Sequence, residues 1–376
     1  MSKIYILGDT HIGLGYPNKM DKWLNIHKEY FSEFLIPFLK NNVKEGDRIV
    51  HLGDLLDNRD IIPINILNYT MNIVEEISNI APMHILIGNH DCWSRSSTET
   101  NSIRPLRYIP NVFIYDKETI VEFDGKKILM MPFIEDKNEQ ISIISENKNC
   151  EYLFCHSDLN GCKMHLTSAA NKNLNKIDIE EFVYFKKVFS GHIHIRQSNK
   201  NFEFVGSNFQ MDRNDYNDQK GITILDLESG ESTFVANKTS PIFKKVAIFK
   251  EEDIDELNGL IDSKDFIDIE IYNDLLVGVN SRKLRRKLEI LLEKKNFESI
   301  TYVDNITNNL VDSSLEDEND KNLENDIVLE HSITLDFKEY IKSYIDNQKY
   351  EVDNFKDGLM SEYDNIIDIY TNNYKK

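Results

Sequence analysis

Asp9 and His11 stand in GDTH, Asp54 and Asp57 in GDLLD, and Asn89, His90 and Asp91 in GNHD. Farther along, His156 lies in FCHSD, and His192 and His194 lie in SGHIH. Each cluster follows a short apolar run, so each sits where a strand should end. The donors are carboxylates, imidazoles and one amide, with no thiolate. Such a set suits Mn, Fe, Zn or Co, and the imidazoles argue against Ca or Mg alone. There are too many donors for one ion and enough for two. Asp54 falls at the end of the central strand, where one carboxylate can serve both ions. A GD dipeptide by itself signals a turn, and a lone histidine is ordinarily a satisfied core or surface residue. Five clusters in the same strand-end context need another explanation.

The elements that must position these residues are legible as a pattern. Apolar runs at 3–8, 48–52, 83–87, 127–132, 152–156 and 187–190 predict strands. Amphipathic stretches near 22–41 and 63–80 predict helices between the first three strands. Strand, helix, strand, helix, strand implies parallel pairing in an α/β core. Ligands bind such sheets at the carboxyl ends of the strands, where all five clusters fall. Short runs with DG and SG turns at 112–132 and 202–236 predict antiparallel hairpins.

Two domains, a linker and a helical segment are expected. Residues 1–240 form the first, and 241–304 a small α/β unit with strands in KKVAIFK, DFIDIEIY and SITYVD and a basic helix at 281–295. Residues 305–335 contain LEDENDKNLEND and read as a solvated acidic linker. Residues 336–376 read as helical again. Phe337, Tyr340, Ile341, Tyr344 and Ile345 make one apolar stripe, and Phe355, Leu359, Tyr363, Ile366, Ile367 and Tyr370 another. Two short helices beyond a polar linker cannot bury both stripes against each other, so they require another surface.

The net charge is −20, which weighs against a nucleic-acid partner. Half of it, however, lies in residues 311–376, and bound cations would neutralise carboxylates at the site. The four cysteines, Cys92, Cys150, Cys155 and Cys162, form no CxxC pair, which fits a reducing cytoplasm rather than a disulfide framework. The first residues already read as a strand, not a signal peptide. The longest apolar run, ILMMPFI, is too short to cross a membrane. His27, His51 and His84 lie outside the clusters and read as structural.

GDTH, GDLLD, GNHD, the mid-chain His156 and GHIH resemble the five motifs of the calcineurin-like metallophosphoesterase superfamily. The resemblance implies an α/β sandwich of two facing sheets flanked by helices, here with the small α/β capping domain and the C-terminal helical segment added. It implies one metal held by Asp9, His11, Asp54 and His194, and a second held by Asp54, Asn89, His156 and His192. His90 would be the catalytic imidazole, with Asp57 placed to orient it and Asp91 a second candidate for that role. The two divalent ions, manganese by expectation, would activate water and clamp phosphate oxygens for in-line attack.

Within the superfamily, GDTHIGLG, VGSNFQMD (205–212) and the domain layout resemble SbcD-type DNA repair nucleases. HSDLNG (156–161) resembles the phage branch, the recombination endonuclease subunit of T-even-like phages. One departure is Gly206-Ser207-Asn208, where the family often has GSP. The resemblance implies DNA as substrate and an SbcC-type coiled-coil ATPase bound through the C-terminal helices. It also implies a homodimer formed through the helix near 63–80, which is apolar on two faces. Loop cations Lys19, Lys22, Arg59, Arg95, Arg104, Arg107, Arg196 and the 282–287 cluster are the candidate DNA contacts. The competing expectations are a stand-alone phosphatase or nucleotide phosphodiesterase, and a non-catalytic scaffold. The complete ligand set disfavours the scaffold.

Overall fold

The computed structural model describes residues 2–303 other than 95, 167, 171, 172, 174, 250–252, 254–263 and 273–298. The chain divides into two units, Met1–Val303 and Asp304–Lys376. The second unit lies outside the described residues, and with it the expected C-terminal helices and the whole of the linker. The expected basic helix at 281–295 also lies outside them.

The chain opens with β1 (Lys3–Leu7), followed by α1 (Met20–Glu29), a π-helical stretch (Tyr30–Leu35) and α2 (Ile36–Asn42). The single helix expected near 22–41 is therefore interrupted. Pro37 in the first turn of α2 has no N–H to give the preceding turn, and the wider hydrogen-bonding register lies just before it. Next come β2 (Arg48–His51), α3 (Ile64–Ser78), β3 (Met83–Leu86), the short strands β4 (Cys92–Ser94) and β5 (Ser97–Asn101), and β6 (Val112–Tyr115). Then follow β7 (Thr119–Phe123), β8 (Lys126–Met131), α4 (Lys137–Glu146), β9 (Tyr152–Cys155) and β10 (Lys187–Ser190). The unit ends with β11 (Gln197–Asn199), β12 (Phe202–Phe204), β13 (Gly221–Asp226), β14 (Ser232–Ala236), β15 (Phe243–Ile248), β16 (Phe266–Tyr272) and β17 (Ser299–Val303).

Two six-stranded sheets face each other, one ordered β14-β13-β1-β2-β3-β6 and the other β11-β12-β10-β9-β8-β7. This is the expected metallophosphoesterase sandwich. Alternate residues of the central strands go to different cores. Ile4, Ile6, Val50, Ile128, Met130, Tyr152 and Phe154 fill the layer between the sheets. Tyr5, Leu7 and Ile49 pack outward under the helices, and Leu129, Met131, Leu153 and Cys155 pack outward beneath α4. Strands buried on both faces read as continuous apolar runs without alternation, which is why they were conspicuous in the sequence.

One expected pairing differs. The 112–132 segment does contain a hairpin, β7–β8, closed by Asp124 and Gly125 at positive φ. β6, however, pairs in parallel with β3 in the first sheet, so the chain crosses between sheets after Tyr115. In the 202–236 segment, β13 and β14 form the expected hairpin.

β15, β16 and β17 make a separate parallel sheet. It is fastened to the main fold by aromatic stacking of Phe266 on Trp23 at 5.2 Å, while Phe266 and Phe243 stack at 4.5 Å within the small sheet itself. Arg213 adds a two-pronged bond to Asp268 at 3.0 and 2.9 Å.

Candidate metal centre

β1, β2 and β3 run parallel and adjacent in one sheet, and β9 and β10 run parallel and adjacent in the other. Their carboxyl ends bring all the sequence-selected residues to one place. Donor atoms of Asp9, His11 and His194 lie within 4.8 Å of one another, as do those of His11, Asp57 and His90, and those of Asp54, His156 and His192. Asn89 joins the third group, its Oδ1 lying 3.0 Å from His156 Nε2 and 2.8 Å from His192 Nδ1.

The backbone is bent to achieve this. His11, Asp54 and His192 all have positive φ, at 49°, 54° and 77°. Non-glycine residues adopt that region at a cost, and such strain persists where a site over-determines it. The glycines before the polar residues permit close approach. A Cβ at Gly191 would stand 2.6 Å from Asp9 Oδ1, and one at Gly88 would collide with the main chain and carboxylate of Asp54.

Each imidazole is oriented by a second contact. His156 is fully buried, and its Nδ1–H donates to the Leu52 carbonyl at 2.7 Å, which turns Nε2 toward Asn89 and Asp54. His11 Nδ1 bonds the Asp57 carboxylate at 3.1 Å, leaving Nε2 3.1 Å from His194 Nε2. His192 Nε2 lies 3.6 Å from Asp158, which in turn meets Lys176 at 2.5 Å. His90 receives its orientation from Asp57 through the main chain: Nδ1–H donates to the Asp57 carbonyl at 2.7 Å, while the Asp57 carboxylate serves His11. The His90 amide donates to Asp54 Oδ1 at 2.7 Å, and its ring stands edge-on to His11 at 4.7 Å. Asp91, the second candidate for orienting His90, is buried elsewhere. Its carboxylate accepts from the amides of Gly88, Leu55 and Leu56 and ties two of the motif loops together.

The residues fit divalent cations. Lone-pair atoms of Asn89, His156 and His192 converge, and Asp9 Oδ2 is buried with no hydrogen-bond partner. Buried polar atoms are nearly always paired, so an orphaned carboxylate oxygen facing imidazoles marks a place built for positive charge. Burial opposes charge on His11 and His156, yet the surrounding carboxylates raise both to about 9. Burial likewise opposes ionisation of Asp54, but His156 and His11 hold it well below the usual carboxylate range. Burial and the nearby charges of His11 and Lys220 keep His194 neutral, the form that binds metal.

Two supporting residues were given no role by the sequence. Asn208, where the family often has proline, is buried and clamps Gly8: its Oδ1 accepts from the Gly8 amide at 3.2 Å and its Nδ2 donates to the Gly8 carbonyl at 2.9 Å. Lys220 is buried among Asp215 (2.6 Å), Asp218 (2.7 Å) and the His194 carbonyl (2.7 Å), and so supports the loop of a site residue. Among the loop cations, Lys22 lies over Phe266, Arg107 pairs with Asp116 and Arg196 pairs with Glu203, all within the chain. Arg95 and the 282–287 cluster lie outside the described residues.

Residues 2–196 match the calcineurin-like phosphoesterase family, and the chain belongs to it. Members of this family bind divalent metals and hydrolyse phosphoesters. Exonuclease subunit 1 of Enterobacteria phage T4 is 28% identical over 276 residues, covering 72% of this chain and 75% of that protein. Putative phosphoesterase 244L of Invertebrate iridescent virus 6 is 28% identical over 252 residues, covering 64% of this chain and 83% of that protein. Putative phosphoesterase 078R of Invertebrate iridescent virus 3 is 27% identical over 188 residues, covering 48% and 52%. Among the described residues no helix is long and apolar enough to cross a membrane.

Proposed function

We propose that the chain is the nuclease subunit of an SbcCD-like complex for DNA recombination and double-strand-break repair. The carrying observation is the convergence of seven nitrogen- and oxygen-donor residues, with Asp54 Oδ2 3.7 Å from His11 Nε2 and 3.4 Å from His156 Nε2. The choice of DNA rests on the phage exonuclease subunit, whose alignment covers 72% of the chain and so extends beyond the 2–196 family match.

In this reading Asp9, His11, Asp54 and His194 hold one cation, and Asp54, Asn89, His156 and His192 hold the other. Manganese is the ion proposed for both. When bound, two such ions supply Lewis-acid polarisation of the phosphate and a water that is nucleophilic at neutral pH. His90 Nε2 is the nitrogen left for substrate once Nδ1 is committed to the Asp57 carbonyl. From there it stabilises charge on a phosphate oxygen and gives a proton to the leaving oxygen. Asp57 positions both His90 and His11.

The complex works in the cytoplasm. The partner ATPase binds the 336–376 segment, and two nuclease subunits pair through α3. Of the stripe Ile64, Leu67, Met71 and Val74, the N-terminal part supports that pairing, since Ile64 is 76% and Met71 36% exposed, whereas Val74 of that stripe and Ile66 and Ile73 of the other are buried. Incubation with manganese and linear duplex DNA, beside a small phosphate monoester, tests the reading. Chelator-sensitive cleavage of DNA supports it; turnover of the monoester alone would establish a stand-alone phosphatase instead. Truncation after Asn305 should leave cleavage by the core intact and abolish capture of the ATPase.

A further inference from the structure

A cavity of 140 Å³ adjoins the metal centre, lined by Asn89, His192, Phe133, Glu135, Asn175 and Lys176 among others. Through Phe133, Glu135 and Asn175 it is continuous with a wider groove of 730 Å³ that reaches Ser96 and Ser97 at the β4–β5 turn. Because Asn89 and His192 form one end, anything in the cavity is joined to the reacting phosphate by only a few bonds. The volume is well short of a typical small-molecule pocket and takes one flat ring.

Phe133 supplies a partly exposed aromatic face there. Its amide donates to the Ile87 carbonyl at 2.8 Å, so the ring is mounted on backbone fixed to the end of β3. It stands 6.3 Å from the His192 ring at 33°. The wall behind it is braced: Ser157 Oγ donates to Gln140 Oε1 at 2.7 Å, and Gln140 Nε2 donates to the Ile134 carbonyl at 2.6 Å.

The charge around the cavity selects its occupant. Glu135, Asp136 and Glu139 outnumber the one cation that lines the groove among the described residues, Lys137, which lies 3.8 Å from Asp178, and Lys176 is already paired with Asp158 at 2.5 Å. A phosphate would be repelled by these carboxylates. A neutral heterocycle with amino donors on its edge would not be. We propose that this cavity receives the single unstacked nucleobase next to the scissile phosphate, its face on Phe133. The inference rests on the nuclease reading above and adds that the strand must enter singly, as in enzymes that draw a base out of its stack.

The test is a double-mutant cycle between protein and DNA. Single-stranded oligonucleotides carry either normal residues or one abasic residue at a defined position, and cleavage at the flanking phosphate is followed with manganese. Stacking of a base on an aromatic side chain is worth roughly ten-fold. Removing the base should therefore slow the wild type about ten-fold at that phosphate. Phe133→Ala should be slowed about ten-fold on normal DNA and be indifferent to the missing base. Phe133→Trp should restore both the rate and the sensitivity. Metal content of each variant, which should equal that of the wild type, reports that the centre is intact. Losses that multiply, or a Phe133→Ala variant as fast as the wild type, would overturn the base pocket while leaving the nuclease reading standing. A wild-type protein that cleaves no DNA with any divalent cation would overturn both.

Discussion

Buried imidazoles in two neighbouring regions of this protein behave in opposite ways. At the metal centre, His11 and His156 are buried and yet raised to about 9. In the adjoining core, burial pushes His51 down to about 3 and His84 down to about 4. The residue type and the burial are the same, so the neighbours decide. His156 faces Asp54 at 3.4 Å, and His11 faces Asp57 at 3.1 Å. His51 Nε2 instead meets the Thr10 hydroxyl at 2.6 Å, and His84 Nδ1 meets the Tyr115 hydroxyl at 2.7 Å. A carboxylate partner makes an imidazole part of a cation site; a hydroxyl partner makes it a core residue. Burial alone does not separate the two.

The change that should break this contrast most completely is Asp54→Asn. It removes the carboxylate proposed to serve both cations, which would leave them without the charge between them. Metal analysis of the purified variant should show loss of both ions and of all hydrolysis. Asp9→Asn should lose less metal, and equal losses would show that Asp54 is not the shared ligand. His90→Ala comes next. It should retain both ions and lose roughly 10²–10⁴-fold in turnover, the usual range for general acid–base help. Disappearance of an ion along with activity would make His90 a ligand.

Asp57→Asn sharpens the comparison more gently. It leaves the carbonyl that orients His90 and removes the charge that backs His11. Loss of such an outer partner costs about 10–100-fold in metal affinity. Titration with manganese should therefore show one ion weakened and the other unchanged. An equal effect on both ions would mean that Asp57 acts on the fold rather than on His11.

How far the sequence revealed this follows from the same contrast. The candidate ligands were legible because each follows a strand that is buried on both faces, and such strands are conspicuous apolar runs. His27 and His84 were separable because they lie outside every motif, and His51 because it ends the apolar strand ahead of GDLLD and is not part of the motif. The role of Asp57 was only half legible, since its carbonyl would orient His90 whatever the side chain. Asn208 and Lys220 were not legible as parts of the site. They act on the main chain of Gly8 and His194, 200 and 26 residues away, and no local spacing encodes such a contact. The strand pairing of β6 was hidden for a similar reason, because its hydrogen-bond partner is set by which sheet has an open edge.

The smallest effect lies on the core side. His84 is stacked on Phe113 with ring centroids 4.9 Å apart and lies 4.9 Å from the Phe123 ring. Its pKa is about 4 in the folded protein, against the ordinary 6.5 when unfolded. The unfolded chain therefore binds the extra proton between those values. Stability contributed by the neutral ring is fully present above pH 6.5 and is lost as the pH falls toward 4, by at most about 3 kcal/mol. His84→Phe should keep the stack and remove this slope, although the Tyr115 hydroxyl loses its partner and the baseline at pH 8 falls by roughly 1 kcal/mol. Urea unfolding in the presence of chelator, at intervals from pH 8 to pH 4.5, measures both quantities. His11 and His156 titrate in another window: their folded values near 9 contribute stability below 6.5 that is lost as the pH rises through 9. The variant should therefore differ from the wild type in slope on the acid side only. An unchanged acid slope would mean that His84 is not held neutral, and that a hydroxyl partner does not set a core imidazole apart from a ligand.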